Sequence, residues 1–135
     1  MKRIFCIVLC ALVMLCAGCI DVSLAQGFDE ASVTDAAKEV VALINAQDYP
    51  TIESNMREDL KSQLTPGQLE EALGEKVTSL GAFKEFSSIS VIGQKNKVTS
   101  EDYAVAVAKC KYDDGNAIYT LSFDVDMALV GIYMK

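Results

Sequence analysis

At residue 83 the apolar residues of this chain change their spacing, and that change limits what the chain can fold into. Upstream the period is helical: Ala37, Val40, Val41 and Ile44 fall at i, i+3, i+4 and i+7, with Thr34 or Asp35 placed to cap. Ile52, Met56, Leu60 and Leu64 recur every fourth residue after Pro50, which predicts a second helix with a break near Arg57. Thr65-Pro66-Gly67-Gln68 fits a capping box with Pro at the first helical position. Leu69, Ala72, Leu73, Val77 and Leu80 then carry a third stripe to Gly81. Downstream the period is two, over residues 83–94, 101–113, 116–125 and 128–134, with turn residues between the runs. Helices first and closely spaced strands after exclude βαβ units. The expected architecture is α+β, with N-terminal helices packed on a curved four-stranded antiparallel meander.

The strands differ in how they alternate. Tyr119, Leu121, Phe123 and Val125 interleave with Thr120, Ser122 and Asp124, which gives one apolar face. Residues 103–108 and 128–134 are apolar on both faces, so the second sheet face calls for cover as well. The expectation is a homodimer, or a partner contact, through that face.

Ahead of the helices lies a leader. Lys2 and Arg3 precede an apolar run from Ile4 to Leu15, which ends in Cys16-Ala17-Gly18-Cys19. Ala17-Gly18-Cys19 matches the end of a lipoprotein signal, with Cys16 where Leu is usual. An apolar cysteine suits a pocket built for an aliphatic side chain. This reading makes residues 1–18 a lipoprotein signal peptide, Cys19 the lipid-attachment residue, residues 19–32 a flexible tether and residues 33–135 the domain. Two other readings stand beside it: cleavage after Ser23-Leu24-Ala25 to release a secreted protein, and an uncleaved anchor built on the 17 uncharged residues 4–20. The first places the domain on the outer face of a bacterial cell membrane.

Charge and residue inventory exclude several functions. Once Lys2 and Arg3 leave, ten of the twelve basic residues face all nineteen acidic ones, a formal charge of −9. That field repels nucleic acid and gives no polybasic membrane patch. The chain has no His, so the commonest general base, proton shuttle and metal ligand is missing; no metal, cofactor or catalytic residue is assigned. Cys110 lies between Lys109 and Lys111, but alternation sends those lysines to the opposite face. Asp124 and Asp126 read as a solvated turn, lacking the further ligands of a calcium loop.

The run of elements, with "LTPGQLEEAL", then "LGAFKEF", then a meander ending in "LVGIYMK", resembles the bacterial family catalogued as domain of unknown function 3887 over residues 33–135. The resemblance implies a nuclear transport factor 2-like, cystatin-like fold, in which a curved sheet wraps helices around a cone-shaped cavity. Phe83, Phe86, Tyr119 and Phe123 are the candidate lining of that cavity. Relatives of this fold range from isomerase- and dehydratase-type enzymes to dimerisation modules, so the architecture alone fixes no activity. The favoured reading is a non-catalytic accessory lipoprotein that binds a small apolar ligand or a protein. The alternatives are a small-molecule enzyme using the cavity and a purely structural dimerisation module. A cavity filled by the four aromatics would remove the ligand and enzyme readings together.

Overall fold

The computed structural model describes residues 23–135. Helix α1, Glu30–Asn45, starts a turn earlier than the Thr34 reading placed it. Asp29 is the cap: its Oδ2 accepts from the Ser32 N–H at 3.0 Å and the Ser32 hydroxyl at 2.8 Å. The earlier start adds Val33 to the stripe of Ala37, Val40, Val41 and Ile44, and all five are buried. The residues just before it are not loose either, since Leu24 and Phe28 pack against the core. The expected tether over residues 19–32 is shorter on its C-terminal side for that reason.

The second helical stretch is split. Helix α2, Tyr49–Asn55, ends where Met56 turns to extended backbone (φ −77°, ψ 152°), and α3, Glu58–Lys61, follows. At the break Met56 forms a parallel bridge with Leu129, and the Arg57 N–H donates to the Leu129 carbonyl at 3.1 Å. The break thus lends a backbone donor to the last strand.

The third stretch keeps its capping box. Thr65 Oγ1 accepts from Gln68 N–H at 3.3 Å while Gln68 Oε1 accepts from Thr65 N–H at 3.0 Å. It runs as α4, Pro66–Leu69, a π-helical turn, Glu70–Gly74, and α5, Glu75–Ser79. Leu69, Leu73 and Val77 are spaced by four and are all buried. In a helix of 3.6 residues per turn a spacing of four drifts around the axis, and the wider π turn offsets that drift. Gly81 ends the stretch at φ +76°, a conformation that favours glycine.

The strands are β1, Phe83–Lys95, β2, Asp102–Tyr112, β3, Gly115–Phe123, and β4, Leu129–Met134, in the order β1-β2-β3-β4 and antiparallel throughout. The result is an α+β domain on an open four-stranded antiparallel sheet. β3 stops two residues before the expected Val125, because Asp124 turns the chain and leaves Val125 exposed. Ala104, Ala106, Ala108 and Cys110 face the core from β2. These small side chains let α1 lie close against β2, while it also contacts β1 and β3.

Candidate functional site

Tyr119 and Phe123 are fully buried in the core, while Phe83 and Phe86 are half-buried and pack against it. Phe83 meets Phe86 edge-on at 5.0 Å between centroids and Tyr112 at 5.5 Å. Phe83, Phe86 and Tyr119 therefore gather around Tyr112, and Phe123 lies four residues further along β3. All four serve as packing residues here. Three surface cavities formed by the described residues involve none of them.

A polar thread runs through this core. Tyr112 donates to Asn45 Oδ1 at 2.6 Å, which uses its only proton, so Tyr119 must be the donor in the 2.7 Å contact between the two phenols. Burial raises the pKa of both phenols above the ordinary 10.0 and pushes the Cys110 thiol up to about 11. Cys110 is thus a neutral core residue with Lys109 and Lys111 exposed on the other face. The Tyr49 hydroxyl is buried without a hydrogen-bond partner, and a Cβ on Gly74 of the π turn would come within 3.3 Å of it. Among the described residues no carboxylate hydrogen-bonds to this thread, which consists of two phenols and the Asn45 amide.

The outer sheet face is different. Register and alternation place Ile92, Val105, Val107, Ile118 and Tyr133 opposite the helices, outside the core cluster. Tyr133 is 62% exposed and Val107 and Ile118 are partly exposed. At one end of this face Arg57 organises an ion network that the sequence did not signal. Its Nε and Nη2 donate to Asp59 at 2.8 and 3.1 Å, and its Nη1 donates to Glu101 at 2.6 Å. Glu101 also accepts from the Tyr103 hydroxyl at 2.9 Å, and Asp124 lies 3.8 Å from Arg57. The Asp59 hydrogen bonds raise the Arg57 pKa above its already high value and lower that of Asp59.

Asp124 corrects the reading of a solvated turn. It is buried, and its Oδ1 accepts from the Asp126 N–H at 3.0 Å and the Ala128 N–H at 2.9 Å, closing the loop between β3 and β4. Beside this network a groove of about 660 Å³ opens between Arg57 and Leu60 on one side and Val98 of the β1–β2 hairpin on the other, floored by Tyr103, Ser122 and Val130. No group of three or more His, Cys, Asp or Glu is disposed to hold a metal among the described residues. No helix among them is long and apolar enough to cross a membrane. Cys19, the expected lipid-attachment residue, lies outside the described residues.

The sequence profile of a family described as "Protein of unknown function (DUF3887)" matches residues 37–132. Among solved structures, the "NMR structure of protein from Ruminococcus gnavus ATCC 29149" superposes with a TM-score of 0.72 at 32% identity, covering 83% of this chain and 96% of that one. A comparison with curated proteins finds no match.

Proposed function

We propose, from the premise that this chain belongs to the DUF3887 family, that it is a non-catalytic accessory domain which binds a protein partner, in the first place a second copy of itself, through the outer face of its sheet. The observation that carries this reading is the contrast between the two faces. Tyr119, Leu121 and Phe123 fill the helix side, while Val107, Ile118 and Tyr133 stand partly or largely exposed on the other. Helices on one face of a β1-β2-β3-β4 meander suit a nuclear transport factor 2-like arrangement, and we take the fold to be of that kind. The leader supports export, with Cys19 acylated and the domain held at the outer face of a bacterial cell membrane.

An enzyme of the isomerase or dehydratase type would need a carboxylate base in the interior. The buried carboxylate among the described residues is Asp124, and its oxygens are engaged by two backbone N–H groups and Arg57. The test is mass by light scattering on the chain from residue 20 onward at micromolar concentration. A dimer that Val107→Glu converts to monomer is the expected result, and a monomer throughout refutes the self-association. Metabolic palmitate labelling tests the anchor: Cys19→Ala abolishes it if Cys19 carries the lipid.

A further inference from the structure

The described chain enters the domain at one particular end of the sheet. The Ser23 carbonyl lies so close over Gly93 that a Cβ there would collide with it, and residues 23–25 share a cavity of about 330 Å³ with Gly93, Lys95 and Asp102. This is the end that carries the β1–β2 hairpin. Cys19 precedes Ser23 by four residues, and four residues span at most about 14 Å. A lipid on the Cys19 sulfur would therefore hold the hairpin end at the bilayer.

That hairpin is shaped to project its tip. Asn96 Oδ1 accepts from the Val98 N–H at 2.9 Å and the Thr99 N–H at 3.2 Å, and the Ser100 N–H donates to the Asn96 carbonyl at 2.8 Å. The Asn96 N–H closes the base of the loop onto the Glu101 carbonyl at 2.8 Å, and Ser100 sits at φ +60°. The loop so fixed displays Val98, whose 93% exposure exceeds that of the other exposed large apolar side chains, Tyr133 and Val125. The acidic residues nearby are already engaged, Glu101 by Arg57 and Asp102 by Lys95 at 3.3 Å. Lys97, next to Val98, makes no ion pair among the described residues, so its charge is free for an outside anion.

We propose that the β1–β2 hairpin tip is a membrane-docking surface, with Val98 entering the headgroup boundary and Lys97 contacting the phosphates of an anionic phospholipid surface. The proposal rests on the reading of Cys19 as lipid-modified. One valine and one lysine attach a protein weakly. Once a lipid holds the tip at the surface, the contact serves to orient the domain, and it points the turn between β2 and β3 away from the bilayer.

The test uses the mature lipidated protein in vesicles of phosphatidylcholine and phosphatidylglycerol in equal parts. A fluorophore is attached at Thr99→Cys, beside the tip, or at Asn116→Cys at the opposite end; Cys110 is buried and does not compete. Quenching by nitroxide-labelled lipids should be severalfold greater at Thr99→Cys than at Asn116→Cys, and should fall when Val98→Asp or Lys97→Glu is added. Equal quenching at the two positions in acylated, vesicle-bound protein overturns the docking surface while leaving the anchor intact. Quenching at Thr99→Cys that neither added substitution changes overturns the roles of Val98 and Lys97. An intact mass without acyl chains, in protein that does not float with vesicles, overturns the Cys19 reading and the docking surface with it.

Discussion

Raising the pH should destabilise this domain in a way that isolates one buried thiol. Cys110 is 1% exposed, and burial pushes its pKa up to about 11 from an ordinary 9.0. Between those values the folded state keeps a proton that the unfolded chain has released. Stability therefore falls with rising pH, being fully present below the unfolded value and lost as pH climbs to the folded one. Integrating over both limits gives a total loss of about 3 kcal/mol, of which about 1 kcal/mol falls between pH 9 and 10. Tyr112 and Tyr119, raised chiefly by desolvation, add to the loss only above their ordinary 10.0, so the first step belongs to Cys110. With no His in the chain, the curve should be flat from about pH 6 to about pH 8.5. Urea midpoints under reducing conditions, followed by far-UV circular dichroism, measure the profile; tyrosine fluorescence is a second probe because the chain has no Trp. Cys110→Ala should lower the plateau by about 1 kcal/mol through a small cavity and abolish the step between pH 9 and 10. A flat wild-type profile through pH 10, or a step that persists in Cys110→Ala, refutes the reasoning.

Two further substitutions probe the rest of the frame. Asp124→Ala leaves the Asp126 and Ala128 N–H groups without their acceptor, and it should cost about 2–4 kcal/mol in urea denaturation. Asp59→Ala, which removes only an exposed partner of Arg57, should move the midpoint little. Gly81→Ala forces a side chain into φ +76° and brings its Cβ to 2.8 Å from Asp114 Oδ2, so a loss of at least about 1–2 kcal/mol is expected. Gly67→Ala, in α4 with open space around it, should be neutral or slightly stabilising by the same measurement.

Local chemistry explains which features could be read in advance. The change of period at Phe83, the Thr65–Gln68 capping box and the Gly81 stop are each settled within a few residues, and the structure has all three. The start of α1 was misplaced because Thr34 and Asp35 are acceptable caps; Asp29 prevails because the added turn buries Val33. The π turn left no signal, since a spacing of four fits an ordinary helix nearly as well. The Arg57 network was illegible for another reason: Glu101 is 44 residues from Arg57, and Tyr112 is 67 residues from its partner Asn45. Arg57 showed itself only as a possible break, and Asp124 only as half of an Asp-x-Asp turn. Their roles exist only once the sheet has brought β2, β4 and the helix break together.

The alternation of β2 ties the packed interior to the exposed face. Ala104, Ala106, Ala108 and Cys110 give the helix side no side chain larger than a thiol, so α1 can approach and the larger Tyr119, Leu121 and Phe123 of β3 occupy what space remains. A strand with period two must place its other residues outside, and in β2 these include the partly exposed Val107. Two more apolar side chains on that face, Ile118 and Tyr133, come from β3 and β4. Stability of the monomer does not call for them there: a polar residue at each position would leave the helix-side packing unchanged. Their presence is a cost in solubility that an uncovered face would carry without return, and a covering partner removes it.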